Sequence, residues 1–186
     1  MNIDDIKNLV PDFAKDIRLN ISTVLKDGGS PGLSEKQIAM LALATAYAAR
    51  NAALTRVVEE AAFESLGDAE ITAARGAASI MGMNNIYYRF LHLVENEEYS
   101  KLPARLRMNV IGSPGIDKVD FELLSLAVSA INGCGTCVAS HERVVRRHEL
   151  GAEAVQSAVR IAAVMHAAAV AIEIDSAGSA SRAEAA

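Results

Sequence analysis

Cys134 and Cys137 are the only two thiols in a chain of 186 residues, and they form a C-x-x-C pair. That spacing serves either a reversible dithiol couple or half of a metal site. His141 follows Cys137 by four residues. On a helix this puts the imidazole and the second sulfur on one face, where the imidazole can take the thiol proton directly or through one water. Glu122, one helix earlier, can orient that imidazole or complete a proton relay. A free thiol of pKa about 8.5 is only about 3% ionised at pH 7, and each unit of depression favours the thiolate by ~1.4 kcal/mol. A thiolate attacks the O–O bond of a peroxide to give a sulfenic acid, and a second thiol condenses with it to a disulfide and releases water. An external dithiol then resets the pair. Cys137, nearer the base, is the candidate attacking sulfur, and Cys134 is the resolving one.

Helices must position these groups. Ala is abundant, there are four Pro and no Trp, and the apolar residues recur at helical spacing, so the fold class expected is all-α. Asp117 or Asp120 caps a helix that carries Glu122 and runs through Leu124 and Val128 to about Ile131, where Asn132 and Gly133 stop it. A new helix starting at Cys134 puts both thiols in its first turn, where unpaired N–H groups and the macrodipole favour a thiolate. Upstream, Ser34 and Gln37 make a capping box for a helix with Ile38, Leu41, Thr45 and Ala48 on one face. Further on, Val155, Ala158, Val159, Ala162, Ala163, His166 and Ala167 form an apolar stripe, with His166 read as a core histidine.

The chain repeats itself. Ser30, Pro31 and Gly32 recur 83 positions later as Ser113, Pro114 and Gly115, and Leu41 to Ala44 match Leu124 to Ala127 at the same displacement. Leu66 and Gly67 match Leu150 and Gly151 at 84, and Arg75 matches Arg160 at 85. One domain over residues 1–175 is therefore expected, built from two diverged modules of roughly 30–112 and 113–175 that cover each other's apolar faces. An amphipathic lead from Ile3 to Leu25, broken at Pro11, precedes them, and 176–186 reads as a disordered tail. Glu122, Cys134, Cys137 and His141 align at 83 with Ala39, Asn51, Leu54 and Val58. One module folds without these four groups, so their joint presence in the other marks a site and not packing.

The net charge of −5 is the wrong sign for general attraction to nucleic acid or anionic membranes. Asp4 and Asp5 stand where a secretory signal would be basic then apolar, and no apolar run is expected to reach the ~18 residues of a membrane span. The expected location is the cytoplasm. Two other readings stay open. Cys134, Cys137 and His141, with Glu122 or His148, could ligate zinc in a non-enzymatic module. A lactone decarboxylase is the other, although that reaction has no need of paired thiols. His92 and His148 receive no role. Arg143, Arg146 and Arg147 read as a solvated face or a greeting surface for an acidic carrier domain. Met81 to Asn85 with Tyr87 and Tyr88 read as packing between modules or subunits.

The stretch Asn132 to Cys137, with Glu122 before it and His141 and Glu142 after it, resembles the AhpD family of alkyl hydroperoxide reductases in the carboxymuconolactone decarboxylase-like superfamily. Asp16, Ile17, Leu19 and Asn20, the block Ile80 to Asn85, and Leu106 to Asn109 leading to Pro114 and Gly115 extend the likeness along nearly the whole chain. The resemblance implies an all-helical protomer, commonly a homotrimer, that acts as an antioxidant thiol peroxidase and regenerates the peroxiredoxin AhpC. It implies no tightly bound cofactor and dihydrolipoamide as reducing cosubstrate, the lipoyl group being carried by a 2-oxo-acid dehydrogenase component, the dihydrolipoamide acyltransferase. Carried over by position, Cys137 becomes the sulfenic acid, Cys134 is the proton donor and resolving thiol that closes the redox disulfide with it, and Glu122 and His141 are the relay. Some members carry a His inside the C-x-x-C, where this chain has Gly135 and Thr136.

Overall fold

Two helices are apolar around most of their circumference, the pattern of an element with no solvent face. They are α3 (Glu35–Ala49), buried continuously from Ile38 to Ala46, and α8 (Lys118–Ile131), buried continuously from Phe121 to Ser129. The other helices wrap this pair. In the computed structural model, which describes residues 2–184 and of 179–184 the backbone only, they are α1 (Ile3–Asn8), α2 (Lys15–Val24), α4 (Ala52–Phe63), α5 (Asp68–Leu93), α6 (Glu97–Lys101), α7 (Asn109–Gly112), α9 (Gly135–Arg147) and α10 (Ala152–Glu184). A 3-10 turn, Asp12–Ala14, follows Pro11 between α1 and α2. No strand occurs among the described residues, so the fold is all-α.

The helix starts keep the spacing of the Ser-Pro-Gly turns. Glu35, Ala52 and Asp68 open α3, α4 and α5, and Lys118, Gly135 and Ala152 open α8, α9 and α10 at displacements of 83, 83 and 84. The expected capping box at α3 is present: Gln37 N donates to Ser34 Oγ at 3.2 Å and Ser34 N to Gln37 Oε1 at 2.9 Å. Asp117 is the residue that caps α8, accepting from Val119 N at 2.8 Å. Gln37 Nε2 also donates to Asp120 Oδ1 at 2.7 Å, tying the N-terminal ends of α3 and α8 together through two residues 83 positions apart. At the first turn Gly32 adopts φ +79°, and a Cβ there would meet the backbone of Ala154 at 2.9 Å. Only glycine lets this turn lie so close against α10.

Helix α10 departs from the sequence reading in three ways. Its buried stripe runs through Ala154, Ala158, Ile161, Ala162, Met165, Ala168, Ala169 and Ile172, while Ala163 and His166 face outward. His166 is not a core histidine. On an Ala-rich helix the small side chains do not distinguish the faces, and the larger Ile161, Met165 and Ile172 decide. Second, the helix continues through Ser176 to Glu184 in the segment expected as a tail, in keeping with its Ala content; residues 185 and 186 lie outside the described residues. Third, Ala152–Gly178 is by length and composition apolar enough to cross a membrane, which was not expected. Of its apolar window 56% is buried inside the protein, as in a core helix.

Candidate active site

The site is built on the α8–α9 junction. Helix α8 ends at Ile131 with Asn132 as its C-cap, and Gly133 then takes φ +69°, a left-handed conformation that reverses the chain. Gly133 N donates to Ala130 O at 3.2 Å and Cys134 N to Ser129 O at 3.1 Å. This pair of bonds is a Schellman motif and satisfies carbonyls that the helix end would leave open. Cys134 therefore closes α8 with its backbone. It also opens α9 with its side chain, since Cys137 N points at Cys134 Sγ at 3.3 Å. Both sulfurs thus lie at the helix N-terminus, as expected, and they are joined in a disulfide with Cα atoms 5.3 Å apart.

Their accessibility differs. Cys134 is 0% exposed and Cys137 6%. Beyond Cys137 on the same face, His141 Nδ1 meets Glu122 Oε2 at 2.6 Å. A carboxylate only accepts, so a neutral imidazole in this pair carries its proton on Nδ1 and leaves Nε2 as its basic nitrogen. Glu122 is nearly buried in the wall of α8, and the carboxylate fixes the ring from behind. Cys137, His141 and Glu122 together line a cavity of about 390 Å³. The four residues singled out from the sequence are thus gathered at one place.

The α5 wall was not foreseen as part of the site. Met81, Asn84 and Tyr88 of α5 line the cavity that holds Cys137, together with Met108 and Ile111. The block Met81 to Asn85, read as module or subunit packing, supplies this wall. Its signal is the spacing 81, 84 and 88, one helix face carrying a polar amide among apolar neighbours. Asn85 also contributes. Its Oδ1 accepts from Asn132 Nδ2 at 2.9 Å and its Nδ2 donates to Ser129 Oγ at 2.9 Å, while Arg89 Nη1 donates to Asn132 O at 2.5 Å. These bonds clamp to α5 the turn from which Cys134 emerges.

A larger groove of about 680 Å³, with Arg50, Arg75, Arg89 and His166 among its walls, contains neither cysteine. The zinc alternative finds no support in side-chain placement: the sulfurs bond each other, and among the described residues no group of three or more His, Cys, Asp or Glu side chains is placed to hold a metal ion. Arg143, Arg146 and Arg147 are exposed on α9, with Arg146 donating to Leu150 O at 2.9 Å. His92 and His148 are also exposed.

A family model described as the carboxymuconolactone decarboxylase family matches residues 97–175. Proteins named alkyl hydroperoxide reductase AhpD are similar along most of the chain. That of Brucella suis is 53% identical over 173 residues, covering 93% of this chain and 97% of its own. That of Gluconacetobacter diazotrophicus is 55% identical over 174 residues, 93% of each chain. That of Rhodospirillum centenum is 51% identical over 177 residues, 95% of this chain and 94% of its own.

Proposed function

Because this chain belongs to the AhpD alkyl hydroperoxide reductases of the carboxymuconolactone decarboxylase family, we propose that it is a dithiol peroxidase that reduces alkyl hydroperoxides at Cys137. The observation that carries this reading is the convergence of a disulfide-forming Cys137, His141 and Glu122 on one cavity. In the reduced protein His141, oriented by Glu122, takes the Cys137 proton. The thiolate attacks the peroxide and becomes a sulfenic acid, and Cys134 condenses with it, releasing water and closing the disulfide. In the reductive half-cycle an incoming thiolate attacks Cys137, the less buried sulfur, and Cys134 leaves as a thiolate facing the Cys137 amide.

In this reading the reductant is a dihydrolipoyl group on a 2-oxo-acid dehydrogenase component, the oxidised partner restored by the pair is the peroxiredoxin AhpC, and the chain works in the cytoplasm. A disulfide in that reducing compartment is a working group and not a structural staple. The paired thiols also favour a peroxidase over the lactone decarboxylase in the name of the family model. Assembly as a homotrimer is supported by an exposed apolar stripe on α5, where Ile86, Phe90 and Leu93 are 64%, 45% and 68% exposed.

The test is the intact mass before and after one equivalent of peroxide, with turnover measured under dihydrolipoamide. Loss of two hydrogens in the wild type, and no peroxide consumption by Cys137→Ser, are expected. Undiminished turnover by that variant overturns the assignment.

A further inference from the structure

Asn84 and Asn85 are neighbours on α5, both buried, at 4% and 1% exposure, yet their amides have opposite circumstances. Asn85 has both ends occupied, by Asn132 and by Ser129. Asn84 lines the cavity that holds Cys137, and its Oδ1 has no hydrogen-bond partner. Burying an amide without a partner is costly, and native proteins leave few such groups without a reason. Tyr88, Thr136, Ser140 and His141 line the same cavity with Met81 and Met108, and none of them donates to the Asn84 carbonyl. No hydrogen bond fixes the carboxamide plane, so it can turn about χ2, a torsion with broad preferences, toward whatever enters the cavity.

We propose that Asn84 is a substrate-binding residue for the hydroperoxide group itself, an inference that rests on the peroxidase reading above. A hydroperoxide R–O–O–H offers one O–H donor, and the Asn84 carbonyl accepts it, holding the terminal oxygen toward the Cys137 sulfur while R lies against Met81, Tyr88 and Met108. The Cys137 thiolate attacks that oxygen and the O–O bond breaks, its electron pair passing to the oxygen bearing R. The sulfur, oxidised by two electrons, keeps the O–H as sulfenic acid. The alkoxide takes from His141 the proton that the imidazole removed from the thiol, and leaves as the alcohol. Asn84 acts on the group common to all hydroperoxides, so its effect is the same for a large R and for hydrogen.

The experiment compares the full-length wild type with Asn84→Leu, which replaces the unpartnered amide by an apolar side chain of similar size, and with Asn84→Ala in case leucine does not fit. The kcat/KM for cumene hydroperoxide and for hydrogen peroxide are expected to fall together by about tenfold, the effect of one lost hydrogen bond to a buried group. The alkylation rate of reduced Cys137 by iodoacetamide and the rate at which dihydrolipoamide opens the disulfide stay within about twofold of wild type, since neither involves a peroxide. Unchanged kcat/KM in both variants overturns the proposal, as does a fall matched by an equal fall in alkylation, which would make Asn84 a support for the thiolate. A wild type that consumes no peroxide overturns the peroxidase reading and this proposal with it. An active wild type matched by its variants overturns the Asn84 assignment alone.

Discussion

Asn51 and Cys134, 83 positions apart, occupy the same station in the two halves of the chain. Each stands immediately before a helix and faces with its side chain the amide of the residue three further on: Leu54 N to Asn51 Oδ1 at 3.0 Å, and Cys137 N to Cys134 Sγ at 3.3 Å. The residues before them correspond as well, Arg50 at φ +61° and Gly133 at φ +69°. The redox pair is thus installed on a helix cap. Sulfur is a weaker acceptor than an amide oxygen.

Restoring the amide separates the two roles of Cys134. Under reducing conditions Cys134→Asn is expected to be at least as stable as the wild type, whereas Cys134→Ala loses about 1 kcal/mol, the typical worth of an N-cap. Both variants lose the disulfide cycle and accumulate sulfenic acid at Cys137. Urea unfolding of the reduced proteins, with a dimedone adduct on Cys137 read by mass, checks both halves.

The Glu122–His141 pair predicts an asymmetry. Removing the imidazole strands a buried carboxylate, so His141→Ala is expected to cost about 3 kcal/mol at pH 7, and Glu122→Gln, which keeps a hydrogen-bonding group, about 1 kcal/mol. Turnover falls in both, by about a hundredfold for loss of the base. Equal stability losses would show that the pairing does not govern the fold here. Denaturant titration of the two single variants and the double variant measures it.

The local half of this site was readable from the sequence and the distant half was not. Gly133, the C-x-x-C and His141 lie within nine residues, so helix periodicity and capping chemistry relate them directly. Glu122 sits one helix back and faces His141 because α8 and α9 are joined by a tight Schellman turn. Asn84, Asn85 and Arg89 lie 45 to 53 residues before the cysteines. Only the crossing of α5 over the α8–α9 turn brings them in, and no local pattern encodes that crossing. In α10 the misplaced face follows from composition, because alanines mark neither core nor surface and His166 was assigned by its neighbours.

The clamp on the turn has a measurable worth. Asn85→Ala removes a buried amide and leaves Ser129 Oγ and Asn132 Nδ2 without it. A loss of about 2 kcal/mol is expected, together with faster hydrogen exchange at the amides from Gly133 to Thr136. Arg89→Met, which releases only the Asn132 carbonyl, should speed the same amides with a smaller loss of stability. Exchange confined to other segments would contradict the assignment.

Away from the site, Glu59 links stability to pH. Tyr47 donates to its Oε1 at 2.6 Å and Arg75 pairs with the same oxygen, and these two partners, the tyrosine first, hold the carboxyl below its ordinary value of 4.5. A lowered folded value contributes stability above the unfolded value, and that contribution is lost as the pH falls through the folded one. The difference in urea midpoint between wild type and Glu59→Gln should therefore be constant from about pH 7 to 5 and shrink below about 4.5. Tyr47, raised chiefly by burial and then by its bond to Glu59, stays protonated throughout that range.

Cys134 is sealed from solvent and Cys137 shows only an edge, and this sets a geometric entrance requirement on every reaction partner. A folded domain cannot press its own surface against so recessed a bond. Whatever exchanges electrons here must reach the bond either as a small free molecule or through a slender projecting group, so admission is decided by cross-section before affinity has any say.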